Sequence, residues 1–377
     1  LALLQIPGIG HVLARTLISY LGSAEAVFRA TKAQLMKVPG VGEVLATTIR
    51  KPGPLVAAEA LLSKAQKQHD HLVFYTDAAF PQRLRQVPDA PLLLYVKGKQ
   101  GKPLPSLNPE RTVAIVGTRQ STDYGRQVTT ELVEALVPYG ATIVSGLAYG
   151  IDAVAHKASL QAQIPTWGVM GTGLDIIYPA SHRSLAQQMV ADGGLLFSEL
   201  SYGTKPDGHQ FPARNRIIAA IADVVVVVEA ARTGGALITA DIAHGYGRTV
   251  MAVPGNVHHS SSEGCNLLIQ QGKAALYSSV QSLIQQMQWE PIGGAGQDGT
   301  SPVHQAKQRS LPDDMVAEHK HLLALMVAKP DFQIDELSRL ANVPISQLAS
   351  QLLNLEFDGW VKTMPGKKFG LQHPIKL

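Results

Sequence analysis

Five short segments carry the residue types from which an anion-binding site can be built. The richest is Phe211-Pro212-Ala213-Arg214-Asn215-Arg216-Ile217-Ile218-Ala219, which sets two arginines around an asparagine where a helical pattern starts. A cation at a helix N-terminus opposes the macrodipole, and a bound anion would resolve the conflict. One of the arginines has a second reading, an internal salt bridge to a carboxylate such as Glu199 or Glu229. Phe211 also has two readings. It is either a platform for a nucleic-acid base, worth ~1–3 kcal/mol per base in single-strand binders, or a hydrophobic staple at the helix entry.

The other four segments are glycine turns that follow apolar runs. Val116-Gly117-Thr118-Arg119 ends the first run, and Val144-Ser145-Gly146-Leu147-Ala148-Tyr149-Gly150-Ile151-Asp152 ends the second. Gly171-Thr172-Gly173-Leu174-Asp175, with Tyr178-Pro179 beyond it, ends the third, and Glu229 to Thr239, through Arg232, Thr233, Gly234 and Gly235, ends another. Glycine lets the backbone turn sharply and approach a ligand, and the N–H groups of the following helix attract phosphate. Asp152 reads as a helix N-cap or a first-turn acid, and His156 as a packed helix residue. Neither GxGxxG nor GxxxxGK[ST] occurs at these turns, so no dinucleotide or ATP cofactor is expected. No nucleophile, His/Asp pairing or metal-ligand cluster stands out either, and neither a catalytic set nor a metal is expected.

These turns need a scaffold that gathers them. From Thr112 to Tyr277, Val/Ile/Leu-rich runs alternate with amphipathic helical patterns, and such near-continuous apolar strands belong to sheets covered on both faces. The alternation predicts an α/β fold, a Rossmann-like, doubly wound and mostly parallel sheet. Ligands of such sheets bind beyond the carboxyl ends of the strands, where all five segments fall. The expected division is a helical domain over 1–70, the α/β domain over 71–290 with its core at 111–290, a Gly/Ser/Gln-rich linker over 291–310 and a final domain over 311–377.

The first domain repeats one pattern, Ile6-Pro7-Gly8-Ile9-Gly10 and Val38-Pro39-Gly40-Val41-Gly42, each followed by an apolar helix. The spacing resembles tandem helix-hairpin-helix modules of the SAM-like kind. These glycines either offer N–H groups to a phosphate or merely turn the chain between packed helices. The last domain reads as three helices followed by Gly359-Trp360-Val361 and a basic turn at Pro365-Gly366-Lys367-Lys368, the order of a winged helix. Its second hairpin helix, Ile345 to Glu356, holds no Lys or Arg, which disfavours reading a duplex and favours binding or pairing with protein.

Composition narrows the class further. Residues 111–300 carry 11 Lys and Arg against 14 Asp and Glu, so a diffuse polyelectrolyte surface is not expected there. Eight of those 11 are arginine, whose planar fork suits phosphate oxygens, which points to a focused anion site. Cys265 is the only cysteine, which excludes an internal disulfide and fits a reducing cytoplasm. No apolar run approaches the ~20 residues that span a bilayer, and the first ten residues lack the features of a secretory signal, so no membrane association is expected.

Taken in order, Gly-Thr-Arg, Ser-Gly-Leu-Ala-x-Gly-Ile-Asp, Phe-Pro-x-Arg-Asn-Arg-Ile-Ile-Ala and Thr-Gly-Gly-Ala-x-x-Thr resemble the DprA/Smf family over residues 75–290, and the flanking domains match its fuller architecture. The resemblance implies an extended Rossmann-like domain that binds single-stranded DNA, forms a homodimer, and helps load the RecA recombinase in natural transformation. Carried over by motif, the pocket comprises Gly117, Thr118, Arg119, Ser145, Gly146, Phe211, Arg214, Asn215, Arg216, Thr233 and Gly234. Relatives often place a basic residue shortly before the Phe-Pro pair; here Lys205 and His209 are the two candidates. The competing readings are a phosphoribohydrolase-like enzyme with Glu199 or Glu229 as its carboxylate, and an interaction scaffold with a vestigial pocket.

Overall fold

The computed structural model describes residues 1–292, 309–310, 315–327, 332–364, 368–371 and 375–376. Most of the linker expected at 291–310, and 365–367 of the basic turn, lie outside the described residues. The chain forms two compact units that part near residue 294, and the helical and α/β segments share the first.

The first unit begins with α1 (His11–Leu21), α2 (Ala24–Arg29), α3 (Lys32–Leu35), α4 (Glu43–Ile49) and α5 (Gly53–Gln68). Gly10 and Gly42 cap α1 and α4 with matching extended backbone and no side-chain cap. A Cβ on Gly8 would touch Leu45, and one on Gly40 would press on Leu13 at 3.3 Å. Each glycine turn is thus seated on the helix that follows the other, so the repeat in the sequence is also a repeat in packing. Leu17, Val27, Leu35, Ala46 and Ile49 fill the core between them.

The α/β segment runs β1 (His71–Phe74), α6 (Gln82–Arg85), β2 (Leu93–Lys97), β3 (Thr112–Val116), α7 (Asp123–Ala135), β4 (Thr142–Ser145), α8 (Ile151–Gln161), β5 (Thr166–Val169), α9 (Arg183–Ala191), β6 (Leu195–Ser198), α10 (Gln210–Ile221), β7 (Val224–Val227), α11 (Gly235–Gly245), β8 (Thr249–Ala252), α12 (Ser260–Gln270), β9 (Ala275–Leu276) and α13 (Val280–Met287). The strands form one sheet ordered β1-β2-β6-β5-β4-β3-β7-β8-β9. Strands β3 to β9 are parallel, and β1 and β2 extend the sheet antiparallel beyond β6. The expected doubly wound, mostly parallel sheet is what the chain forms.

Both faces are buried, which explains the unbroken apolar runs. Ala114, Val116, Val225 and Val227 face one core with α10 and α11, while Val113, Ile115, Val224 and Val226 face the other with α7, α8 and α13. Strand β3 is central, with β4 on one side and β7 on the other, so the loops after these strands diverge and leave a crevice between them.

A polar tie joins α1 to this sheet domain. His11 Nδ1 accepts from the Leu92 amide at 3.0 Å, so the ring proton sits on Nε2, 3.2 Å from a Glu199 carboxylate oxygen. Glu199 also holds Arg216 of α10.

The second unit contains β10 (Arg309–Ser310), α14 (Ala317–Met326), β11 (Phe332–Gln333), α15 (Ile334–Ala341), α16 (Ile345–Phe357), β12 (Val361–Met364), β13 (Lys368–Leu371) and β14 (Ile375–Lys376). Strands β11, β13 and β12 form an antiparallel sheet against the helices, a winged-helix arrangement. Leu337, Leu348, Leu352 and Trp360 lie in its core. Among the described residues no helix is long and apolar enough to cross a membrane.

Candidate functional site

A cavity of about 790 Å³ opens at the carboxyl ends of the parallel strands, in the crevice between the β3 and β7 loops. Gly117, Thr118 and Arg119 line it from the β3 loop, and Thr233, Gly234 and Gly235 from the β7 loop. Phe211, Arg214 and Asn215 come from α10, and Pro206, Asp207 and Gly208 from the segment before it.

Backbone bonds stitch these loops together. The Thr118 amide donates to the Glu229 carbonyl at 2.8 Å, and the Ile151 amide donates to the Thr118 carbonyl at 3.2 Å. Gly150 crosses directly beneath, with φ +73°, and a Cβ there would run into the Thr118 carbonyl oxygen. Gly150, not Asp152, is the N-cap of α8. Asp152 lies in its first turn, where one carboxylate oxygen accepts from the Gly146 amide at 3.0 Å and the Ala148 amide at 3.3 Å.

Arg214 forms the floor. It is 6% exposed, and its Nη1 donates to the Gly146 carbonyl at 2.6 Å and to the Val169 carbonyl. Burial pulls its pKa down to about 10, against the opposing pull of Asp152, so it stays cationic at neutral pH. Burial likewise pushes the Asp152 carboxyl up, and the Arg214 charge offsets part of that effect.

Helix α10 starts at Gln210, several residues before the expected start, so Arg214 belongs to its second turn rather than its end. Pro212 is accommodated because amides in the first turn have no intrahelical partner to lose. The dipole conflict read from the sequence is therefore weaker than expected, and burial of a charge takes its place as the reason to expect an anion.

Arg216 turns out of the cavity. It donates to the Asp89 carbonyl at 2.6 Å and is ion-paired with Glu199, as the salt-bridge reading required. Ser145 and Gly146 lie beneath the cavity rather than on its wall: the Ser145 hydroxyl donates to the Ile115 carbonyl at 2.7 Å. Lys205 and His209 are exposed and do not line it; the residues between them do. Asn215 bridges α10 to α11, its Nδ2 donating to the Gly235 carbonyl at 3.2 Å.

The mouth carries the exposed Arg119, whose guanidinium lies 5.8 Å from the Phe211 ring centroid and pairs with no carboxylate among the described residues. The Phe211 ring rests on Gly171 and meets Tyr178 at 5.4 Å, so it is a wall of the cavity rather than a staple. Among the lining residues outside the set carried over by motif are Pro206, Asp207, Gly208, Gly235 and Tyr178; for Tyr178 the Tyr-Pro pair after the third glycine turn was the signal. Gly234 caps α11 without a side chain, and Gly235 and Ala236 of its first turn, whose amides have no intrahelical partner, line the same space.

Neither candidate hydrolytic carboxylate is free. Glu199 is held by Arg216 and His11, and Glu229, 2% exposed, accepts from the Thr122 amide at 2.9 Å and the Thr122 hydroxyl at 2.5 Å.

A family model described as DNA recombination-mediator protein A matches residues 71–288. The chain belongs to that family. A SAM-like helix-hairpin-helix tandem matches 1–51 and a DprA winged helix domain matches 305–367, which bears out the flanking domains. Protein Smf of Synechocystis is 33% identical, covering 98% of this chain and 97% of its own length. DNA processing protein A of Streptococcus pneumoniae superimposes with a TM-score of 0.64 at 32% identity, over 76% of this chain and 96% of that one. The protein of the same name from Helicobacter pylori, in a structure concerned with its single-stranded DNA binding mode, aligns with a TM-score of 0.51 at 31% identity, over 59% and 97% of the two chains.

Under the cavity lies a group set for the neutral state. His156 is fully buried, shares a 2.7 Å hydrogen bond with Thr166, and its pKa is driven down to about 3, first by burial and then by the Arg214 charge. The unfolded chain takes up that proton near pH 6.5 while the folded one refuses it, so stability present above pH 6.5 is lost as pH falls toward 3. The melting midpoint should therefore fall on acidification from pH 6.5 to 4.5, and fall less steeply in His156→Gln. Parallel curves for the two proteins would remove His156 as a cause.

Proposed function

We propose that the chain is a cytoplasmic, non-catalytic mediator that binds single-stranded DNA at this cavity and, as a homodimer, hands it to RecA. One observation carries the DNA-binding part: Arg119, without a carboxylate partner among the described residues, stands over an aromatic ring at the mouth of a cavity with a buried cation in its floor. The α11 amides add donors for phosphate, and the walls leave a cleft suited to separate nucleotides. The Helicobacter relative's single-stranded DNA binding mode supports the same reading. Dimerisation and transfer to RecA rest on membership of a recombination-mediator family, and two cavities per dimer would add avidity. Engagement of Glu199 and Glu229 elsewhere disfavours nucleotide hydrolysis. Helix α16 exposes Leu353 and Phe357 and lacks cations, which supports a protein-facing winged helix.

The test is a salt series with fluorescent oligothymidine and a matched duplex. The wild type should prefer the single strand. Arg119→Ala should weaken it and flatten the log K against log salt slope by about 0.7, one phosphate contact on a single strand. Phe211→Ala should cost about ten-fold in affinity. If both variants bind as the wild type does, the cavity is not the DNA site.

A further inference from the structure

At the cavity mouth and just beyond it, two exposed tyrosines stand on loops that the backbone holds in place. Tyr178 is 45% exposed and lines the cavity mouth beside Phe211. Its loop is braced by the Thr172 hydroxyl, which donates to the Ile176 carbonyl at 2.6 Å, and by the Ile176 amide, which donates to the Gly173 carbonyl at 3.0 Å. Tyr149 is 48% exposed and sits between Ala148, whose amide is bound by Asp152, and Gly150, which is pinned under the Thr118 carbonyl. The two loops touch. The Ser181 hydroxyl donates to the Tyr149 hydroxyl oxygen at 3.1 Å, and the His182 ring meets the Tyr149 ring edge-on at 5.0 Å. Exposed Arg183 follows His182 and forms no ion pair among the described residues.

Phe211 itself is already flanked, by Gly171 on one side and by Tyr178 and the Arg119 guanidinium elsewhere. Ring surface for bases beyond the one that meets Phe211 is found on the exposed Tyr178 and Tyr149. Aromatic platforms interleaved with unpaired cations are what a sequence-tolerant single-strand track requires, because every base has a π-face and every linkage a charge.

We propose that the strand leaving the cavity runs over the β5 and β4 loops, with successive bases stacking on Tyr178 and Tyr149 and Arg183 taking a phosphate. This rests on the reading of the cavity as a single-stranded DNA site and extends it outward by a defined path. The rings need no reordering on binding, since their loops are already fixed, which lowers the entropic cost of capture.

The experiment compares the full-length wild type with Tyr178→Ala, Tyr149→Ala, Tyr149→Phe and Arg183→Ala. The probes are oligothymidines of increasing length and an abasic deoxyribose-phosphate oligomer of the longest length. Tyr149→Ala should weaken only the longer oligothymidines, about five-fold or more, leave the abasic oligomer unchanged, and be rescued by Tyr149→Phe. Tyr178→Ala should show the same loss beginning at shorter lengths, and Arg183→Ala should weaken the long abasic and thymidine oligomers alike. Equal affinity across all lengths in Tyr149→Ala, or equal losses on abasic and base-bearing oligomers, overturns the track. Arg119→Ala and Phe211→Ala run alongside distinguish the two failures. If they weaken binding while the tyrosine variants do not, the cavity stands and the track falls; the reverse result removes the cavity and, with it, the track as a path leading out of it.

Discussion

Arg214→Ala is expected to lower the melting midpoint by something on the order of 10 °C and to abolish measurable oligothymidine binding. Removing one partner of a buried charge pair costs about 3–5 kcal/mol, because the other charge stays behind in low dielectric, and each kcal/mol shifts a domain of this size by roughly 2–4 °C. Here the charge left behind is Asp152, and the Gly146 and Val169 carbonyls lose their donor as well. Lysine should rescue poorly, since an ammonium cannot reproduce the guanidinium fork that reaches both carbonyls. Differential scanning calorimetry of Arg214→Ala and Arg214→Lys decides it. Wild-type melting with lost DNA affinity would make Arg214 a ligand contact alone, with no part in holding the floor together.

Gly150→Ala should be nearly as severe. The backbone there, φ +73° and ψ −129°, is a region that only glycine occupies freely, at about 1–3 kcal/mol for another residue. The added Cβ also meets a backbone oxygen, Thr118, which cannot rotate away. The β3 and β4 loops would have to part, moving Arg119 and Tyr149 together, so affinity should fall about ten-fold or more along with several degrees of stability. Gly193→Ala is the control. Its φ of +90° carries a similar backbone cost, but nothing lies within 4 Å of the added atom and it sits at the opposite end of the strands. Equal binding losses in the two variants would show that strain alone, and not loop contact, governs the site.

The sheet was legible because its strands are covered on both sides: Val224–Val227 can be little else when all four side chains are buried. The glycine turns were legible for the same reason, since they fall at strand ends where the fold must gather them. What escaped was set by distant partners. Arg216 and Arg214 are two residues apart and equally basic, and only Asp89 and Glu199, which the fold brings from elsewhere, decide that one is structural and the other lines the cavity. The start of α10 lies before the Arg-Asn-Arg segment because a first helical turn tolerates Pro212. Strand β1 is a four-residue antiparallel addition whose run is too short to separate from a connector. Tyr178 was named in the sequence only as part of the third turn, and its contact with Phe211 was not legible because it depends on how the β5 loop folds back.

The tie between His11, Glu199 and Arg216 bears on how this chain can be cut, shuffled or inherited. A junction near residue 70 divides two sequence patterns, yet the carboxylate on one side has its proton donor on the other. Exchanging residues 1–70 for those of a relative preserves this tie only when the donor at position 11 and the acid at position 199 travel as a pair. The heritable module is therefore larger than the repeat that marks it, and chimeras drawn at the pattern boundary would break a bond that neither parent sequence displays.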